Sequence, residues 1–235
     1  MIPVILLAHG SPDPRSSQGT RDLATKVAQH IDQLVVPAFL DNNEPTLLQT
    51  VNELASQGFT SALVFPAFLS HAFHVRVDIP EAVHEAELAT GMNLSVADPI
   101  GPDEQLLEAL NELIPSGPAV LATAGTSNVN AQWDFEQLAR VWSKQRSEPV
   151  LVAYASQAKP DVPTAIAELE SLTGKVVSVG SFVLFQGVLP DRIKTASGNR
   201  ICTTPLCDSD VLVDLISQRL KKALAHDLHQ TKGDS

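Results

Sequence analysis

Apolar runs of strand length alternate with longer amphipathic stretches through the first half of the chain. The runs are rich in Val, Ile and Leu, as buried β-strands are, and the stretches between them repeat apolar positions with helical spacing. The expected strands are VILLA, LVVPAFL and SALVFPAF, and the expected helices cover about residues 18–34, 45–57 and 79–89. This alternation predicts βαβ units and a parallel sheet.

The same rhythm begins again after a stretch rich in Pro, Gly and Ser at residues 114–118. Such a stretch is typical of a domain boundary. Beyond it, the expected strands are AVLATAG, PVLVAYA and KVVSVGSF, and the expected helices cover 129–145, 161–172, 187–197 and 209–225. We therefore predict an α/β protein with an N-terminal domain at residues 1–115 and a C-terminal domain at residues 116–235.

The two halves also match in detail, which indicates an internal repeat. ILLAHGS aligns with VLATAGT. Pro45 lies 36 residues after His9 (45 − 9), and Pro160 lies 36 residues after Ala124 (160 − 124). Recurrence of the same apolar runs and loops at equal intervals is the mark of a duplicated unit. The repeat predicts two similar lobes, each with a mostly parallel four-stranded sheet flanked by helices.

At six aligned positions, the second copy lacks a side chain of the first copy that could bind a metal. The aligned pairs, with the first copy named first, are His9/Ala124, Asp41/Ser156, Glu44/Lys159, His71/Phe185, His74/Val188 and Asp78/Arg192. A shared fold gives no reason for all six positions to change. Loss of a site from one copy explains the pattern, so we expect the functional site in the first lobe.

These candidates follow the first three expected strands, where parallel α/β sheets bind their ligands. Two imidazoles with a carboxylate suit Fe²⁺, Co²⁺, Ni²⁺ or Zn²⁺ better than Mg²⁺ or Ca²⁺. No His-x-x-x-His pair fixes two ligands on one helix, which favours an open coordination sphere. A neutral imidazole can also accept a proton at cellular pH.

Structural roles remain open for several of these residues. His9 could bond to backbone at a strand end, His71 could cap a turn, and Glu44 could simply open the helix after Pro45. Asp78 precedes IPEAVHEA, and the pattern favours it as a helix N-cap with a proline in the first turn.

Charge and composition narrow the function classes. The chain has 16 Lys and Arg against 27 Asp and Glu, a formal net charge of -11, which disfavours nucleic-acid binding. The opening MIPVILLA has no basic leader and is far shorter than a membrane span. We expect a cytoplasmic protein. Cys202 and Cys207 have no second pair, and free thiols that are buried or half-buried are favoured over a disulfide or a metal site.

Three motifs together resemble one enzyme family. LLAHGSPDPR, FLDNNEP and PAFLSHAFHVRVDIP are similar to the motifs of the class II chelatases of the sirohydrochlorin chelatase, or CbiX, type. The resemblance covers nearly the whole chain, because long members of that family have two related α/β lobes. His9 and His74 match the family's two metal-binding histidines. Asp41 stands where the family usually has glutamate, and Glu44 could take its place.

The resemblance implies ATP-independent insertion of Fe²⁺ or Co²⁺ into sirohydrochlorin, in the biosynthesis of sirohaem or cobalamin. The tetrapyrrole would lie in a cleft between the lobes and lose its two inner N–H protons as His9, His74 and a carboxylate pass on the metal. Ser11, Arg15, His71 and Arg76 are the candidates for binding the substrate. No Walker loop is present in the sequence. The implied protein needs no cofactor beyond the substrate metal and works as a monomer.

Two other readings stay open. A non-catalytic carrier of metal or tetrapyrrole would use the same residues but show no turnover. A flavodoxin-like protein could use HGSPDPRSS to bind a phosphate or a flavin. That loop lacks the glycines of a dinucleotide fingerprint, and the histidines would then have no role.

Overall fold

The computed structural model describes residues 2–70 and 77–230, with side chains described as far as residue 225. The chain divides into two compact units. Unit 1 consists of Met1–Gly101 together with Val213–Ser235, and unit 2 consists of Pro102–Leu212. The predicted boundary between residues 115 and 116 lies inside unit 2, and the end of the chain returns to unit 1.

Unit 1 has a sheet of four parallel strands in the order β2-β1-β3-β4. Its elements are β1 (Val4–Ala8), α1 (Pro14–Ile31), β2 (Val35–Phe39), α2 (Leu47–Ser56), β3 (Ser61–Pro66), α3 (Ile79–Thr90) and β4 (Asn93–Val96). The central strand β1 is buried along its whole length, so both faces of the sheet are covered. On one face, Ile5 and Leu7 belong to an apolar core with buried residues of α2 and α3.

Unit 2 repeats this plan with three parallel strands in the order β6-β5-β7. Its elements are α4 (Leu106–Asn111), β5 (Ala119–Thr123), α5 (Val129–Arg146), β6 (Val150–Tyr154), α6 (Val162–Thr173), β7 (Ser178–Phe182), α7 (Val188–Ala196) and a 3-10 turn at Leu206–Asp208. The last helix, α8 (Asp210–Gln230), begins in unit 2 and continues in unit 1. The predicted α/β class with parallel sheets is confirmed.

The prediction of four strands in the second lobe was wrong. Where a fourth strand would lie beside β7, a single bridge joins Val179 to Cys202. The next amide of β7, that of Ser181, donates to the hydroxyl of Thr203 at 2.8 Å. A side chain therefore takes the position that a backbone carbonyl would occupy in a longer ladder. Pro205, which has no N–H to donate, follows two residues later.

The backbone confirms the repeat, with an offset of 115 residues. Phe39 N donates to Pro45 O at 3.0 Å, and Tyr154 N donates to Pro160 O at the same distance. Left-handed backbone angles recur at corresponding positions, with φ of 61° at Asn42 and 59° at Gln157. The two copies thus share these turns as well as the order of their first three strands and helices.

Candidate functional site

The loop after β1 is held close to the loop after β2. Gly10 has φ of +94°, and a Cβ at this position would overlap the carbonyl oxygen of Asp41, so only glycine fits. Asp41 N donates to His9 O at 2.8 Å, and Ser11 N donates to the Asn43 side chain at 2.7 Å. This packing places His9 and Asp41 side by side at the carboxyl end of the sheet.

His9 and Asp41 line one cleft of about 410 Å³ in unit 1. The other residues that line it are Leu40, Asp78, Glu81, Ala82 and Glu85. The Nδ1 atom of His9 is buried, and its ring lies 6.5 Å from that of Phe68. Among the described residues, the cleft therefore combines one imidazole and four carboxylates with a small apolar area.

Asp78 holds the N-cap position of α3, with a proline in the first turn as the sequence pattern favoured, but its side chain does not cap the helix. A residue that caps a helix with its side chain has extended backbone angles, which turn the side chain back toward the first free amides of the helix. Asp78 instead has helical angles, φ −67° and ψ −37°, and its side chain makes no capping hydrogen bond. It lines the cleft beside His9.

Glu81 and Glu85 also line the cleft, and neither is among the candidate residues predicted from the sequence. With Asp78 and Ala82 they occupy positions i, i+3, i+4 and i+7 of α3 and the turn before it, which lie on one helix face. This spacing is visible in DIPEAVHEA. It could have identified them once the preceding loop was taken as part of the site.

Glu44 is not among the residues that line the cleft. Its backbone carbonyl accepts a hydrogen bond from Arg21 Nη2 at 2.6 Å, and its carboxylate accepts one from Gln49 at 3.5 Å. It does not cap α2 either, because Thr46 and Gln49 form a complete capping box there.

Ser11 and Arg15 also stand outside the residues that line the cleft. The Ser11 hydroxyl accepts from Asp13 N at 3.1 Å, and Asp13 caps helix α1. Arg15 donates to both carboxylate oxygens of Asp13, at 3.0 and 2.6 Å. Hydrogen bonds from Arg15 hold the pKa of Asp13 below its usual value.

His71, His74 and Arg76 lie outside the described residues. Within residues 2–70 and 77–230, no group of three or more His, Cys, Asp and Glu side chains is arranged to hold a metal ion. Of the predicted ligands, the described structure brings His9 and Asp41 together. In the same part of the chain, no helix is long and apolar enough to cross a membrane.

The corresponding loops of unit 2 have the same backbone and different chemistry. Gly125 has φ of +100°, and a Cβ there would overlap the carbonyl oxygen of Ser156, as at Gly10. Ser156, the counterpart of Asp41, donates its hydroxyl to Ala124 O at 2.8 Å. A hydrogen bond that only holds two loops together thus replaces a potential metal ligand.

The two cysteines are free thiols, as expected. Cys202 is half-buried, and burial raises the pKa of its thiol. Cys207 is buried, and its sulfur lies 3.7 Å from a carboxylate oxygen of Asp208.

Comparison with known proteins gives one consistent family. The family model described as CbiX matches residues 3–116 and 118–223. A sirohydrochlorin ferrochelatase of Priestia megaterium is 25% identical over an alignment 243 residues long. The alignment covers 94% of this chain and 90% of the relative. A sirohydrochlorin cobaltochelatase of Sulfurisphaera tokodaii is 30% identical over 114 residues, 48% of this chain and 92% of the relative.

Solved structures of SirB proteins have a similar fold. SirB from Bacillus subtilis, solved with Fe³⁺, superposes with a TM-score of 0.81 at 22% identity and covers 98% of both chains. SirB from Bacillus subtilis subspecies spizizenii in complex with cobalt gives a TM-score of 0.77 at 20% identity, over 94% of this chain and 95% of that chain.

Proposed function

The chain belongs to the CbiX family, and on that premise we propose that it is a sirohydrochlorin chelatase, which inserts Fe²⁺ or Co²⁺ into the tetrapyrrole without ATP. The observation that carries the proposal is the cleft of unit 1, where His9 and Asp41 meet. They follow β1 and β2, and the second copy of the repeat has lost both of these side chains.

The carboxylates of the cleft attract the substrate metal. Asp41, Asp78, Glu81 and Glu85 give one concave surface several negative charges, which raises the local concentration of a divalent cation. Asp41 is exposed. Water can therefore replace its carboxylate on a bound metal ion, which frees the metal for transfer. The Asp41 side chain is shorter than that of the glutamate usual in the family. Glu44 is given no role as a ligand, because its side chain is outside the cleft.

His9 has two tasks in the proposed reaction. Insertion exchanges M²⁺ for the two inner N–H protons of the macrocycle, so the products are the metal complex and two protons. A neutral imidazole can ligate the metal and can also accept a proton. The LSHAFHVRVDIP motif gives His74 the same role.

We further propose that the chain acts as a monomer in the cytoplasm, with one site and no resident cofactor. The repeat supports one site per chain, since the counterparts of His9, Asp41 and Glu44 in unit 2 are Ala124, Ser156 and Lys159. Gel filtration with activity measured across the peak tests the monomer. Activity confined to a dimer fraction would contradict it.

An anaerobic insertion assay tests the function. Purified protein, at a small fraction of the tetrapyrrole concentration, is mixed with sirohydrochlorin and Fe²⁺ or Co²⁺, and the macrocycle absorbance is followed. We expect many turnovers per chain above the uncatalysed rate. His30→Ala is the matched control for His9→Ala, because His30 is an exposed histidine on α1 that bonds to Lys26 O. Binding of one equivalent without turnover would instead indicate a carrier.

A further inference from the structure

The loops that carry His9 and Asp41 are joined by the side chain of a third residue, Asn43. Ser11 N donates to Asn43 Oδ1 at 2.7 Å. Asn43 is half-buried, and its Oδ1 would lie 3.1 Å from a Cβ on Gly10, so it packs against the glycine of the first loop. Asp41 N also donates to His9 O. Hydrogen bonds therefore hold the first loop on both sides of Gly10.

The orientation of the Asp41 carboxylate depends on the backbone of its own loop. One of its oxygens accepts from Asn42 N at 2.7 Å, and Asn42 has a left-handed φ of 61°. Asn43 N donates to Asp41 O at 2.8 Å, which closes a tight turn around Asn42. A shift of this turn would therefore move the carboxylate of Asp41 relative to His9.

Unit 2 forms the same turn but ties its loops in another way. Ala158 stands at the position of Asn43, and Ala158 N donates to Ser156 O at 2.7 Å, as in unit 1. Alanine has no side-chain acceptor. The tie between the loops comes instead from the Ser156 hydroxyl, which donates to Ala124 O at 2.8 Å. Ser156 is the counterpart of Asp41. The copy that has a carboxylate at this position thus has its tie at Asn43.

A second side chain supports the Asp41 loop at its other end. Arg21 on α1 donates from Nη2 to Glu44 O at 2.6 Å. At the offset of 115 residues, the counterpart of Arg21 is Glu136, whose carboxylate cannot donate to a carbonyl. The loop of unit 1 therefore has two side-chain supports that the repeated fold does not require.

We infer that Asn43 is a positioning residue for metal binding, which holds the loop of Asp41 against the loop of His9. Because Asn43 ties the loops, the side chain of Asp41 is left to ligate the substrate metal. Two ligands from separate loops bind an ion well only if their spacing is fixed before the ion arrives. Side chains that orient metal ligands therefore contribute to affinity. The inference rests on the proposed function for the assignment of His9 and Asp41 as ligands.

Direct binding of Co²⁺ tests this role without any tetrapyrrole. Co²⁺ is titrated into the purified protein against a competing chelator, and the visible absorption of the bound ion reports its ligand set. Asn43→Ala should raise the Kd for Co²⁺ about tenfold and change this spectrum. Asp41→Ala, which removes the ligand itself, is the positive control. Asn52→Ala is the matched control and should bind like the wild type, because Asn52 is an exposed asparagine on α2 that donates to Leu48 O at 3.0 Å.

The conservative variant Asn43→Asp tests the hydrogen bond itself. Its carboxylate can still accept from Ser11 N, so the Kd should return close to the wild-type value. The added charge also attracts a cation, and Asn42→Asp in the Asn43→Ala protein controls for it. Asn42 is exposed, and aspartate is tolerated at a left-handed φ. This double variant adds the charge without the bond and should recover little affinity.

Urea unfolding separates positioning from a purely structural role. Asn43→Ala should lower the unfolding midpoint only slightly, because unit 2 forms the same turn with Ala158. In the insertion assay, the same variant should raise the KM for the metal and leave the KM for sirohydrochlorin unchanged. A variant that loses stability but keeps the Kd and the spectrum of bound Co²⁺ would overturn the inference.

The inference and the proposed function can fail separately. A wild-type protein that binds Co²⁺ but inserts none would contradict the proposed function, and the Kd of Asn43→Ala would still decide the role of Asn43. Equal Kd values for the wild type and folded Asn43→Ala would overturn the inference even if the wild type inserts metal. A wild-type chain that binds no Co²⁺ in this titration would overturn it as well.

Discussion

The loops after the first two strands of the two units have almost the same backbone and very different side chains. A glycine with positive φ packs against a carbonyl of the next loop in both, at Gly10 and at Gly125. Unit 1 places His9 and Asp41 on this frame, whereas unit 2 has Ala124 and Ser156. The comparison separates what the fold requires, which both copies keep, from what the proposed chemistry would require, which only unit 1 has.

Removing and transplanting the histidine is the strongest test of this comparison. His9→Ala should lower the insertion rate by about 10²- to 10⁴-fold, because it removes a metal ligand and a proton acceptor together. Ala124→His should add no activity to that variant, because unit 2 lacks the carboxylates. Turnover in the insertion assay measures both effects. Near-normal activity of folded His9→Ala would remove this residue from the mechanism.

The two glycines should respond alike in stability and differently in activity. Gly10→Ala and Gly125→Ala each force a Cβ onto a carbonyl oxygen at positive φ, which we expect to cost about 2–3 kcal/mol of unfolding free energy. Only Gly10→Ala should also impair insertion, since it moves the loop of His9. Urea unfolding and the insertion assay measure the two quantities. If Gly125→Ala left the unfolding free energy unchanged, the two units would not share this close packing of the loops.

Substitution of Asp41 should affect the insertion rate less than substitution of His9, and substitution of its counterpart Ser156 should not affect it. Asp41→Ala should slow insertion about tenfold, the effect of roughly 1.4 kcal/mol on the barrier, because three other carboxylates still line the cleft. Ser156→Ala should leave the rate unchanged. Glu44→Ala should also be mild, since Glu44 lies outside the cleft. If Glu44→Ala slowed insertion more than Asp41→Ala, Glu44 would be the metal ligand in place of Asp41.

The helix caps of the two units should differ in their dependence on pH. Thr46 caps α2, whereas its counterpart Asp161 caps α6 with a pKa lowered from 3.8 to about 2, chiefly by the hydrogen bond from Lys159. A lowered folded pKa stabilises the protein above pH 3.8, and that stability is lost as the pH falls toward 2. Between pH 4 and 2.5, the protection of backbone amides from exchange, relative to an unfolded chain at the same pH, should therefore fall more at α6 than at α2. Asp161→Thr should remove the difference.

The cysteines of unit 2 should have the smallest effect. Cys202→Ser and Cys207→Ser should keep the insertion rate within about twofold, or ~0.4 kcal/mol in the barrier, because neither thiol lines the cleft of unit 1. The raised pKa of Cys202 also predicts slow alkylation near pH 8. A collapse of activity in folded Cys202→Ser would bring unit 2 into the metal chemistry.

The longer elements could be predicted from sequence because their patterns are local. VILLA became β1 without change, and the helix expected at 129–145 runs over Val129–Arg146. The prediction counted a fourth strand in the first lobe without locating it, and it omitted α4. β4 and α4 have four and six residues and are too short for a clear period. The acidic face of α3 was missed because it belongs to the site only through its packing beside His9.

Helix α8 makes unit 1 discontinuous in the chain, and this has a consequence for biosynthesis. Arg219 on α8 donates to Pro99 O at 2.6 Å across 120 residues of sequence, so the last helix completes a unit that began with β1. Domains generally fold as they leave the ribosome. Here the unit with the His9 cleft must wait for the C-terminal segment, while all of unit 2 is made first. Ribosome-bound chains that stop before α8 would therefore hold nearly all of unit 2 but only the N-terminal part of unit 1.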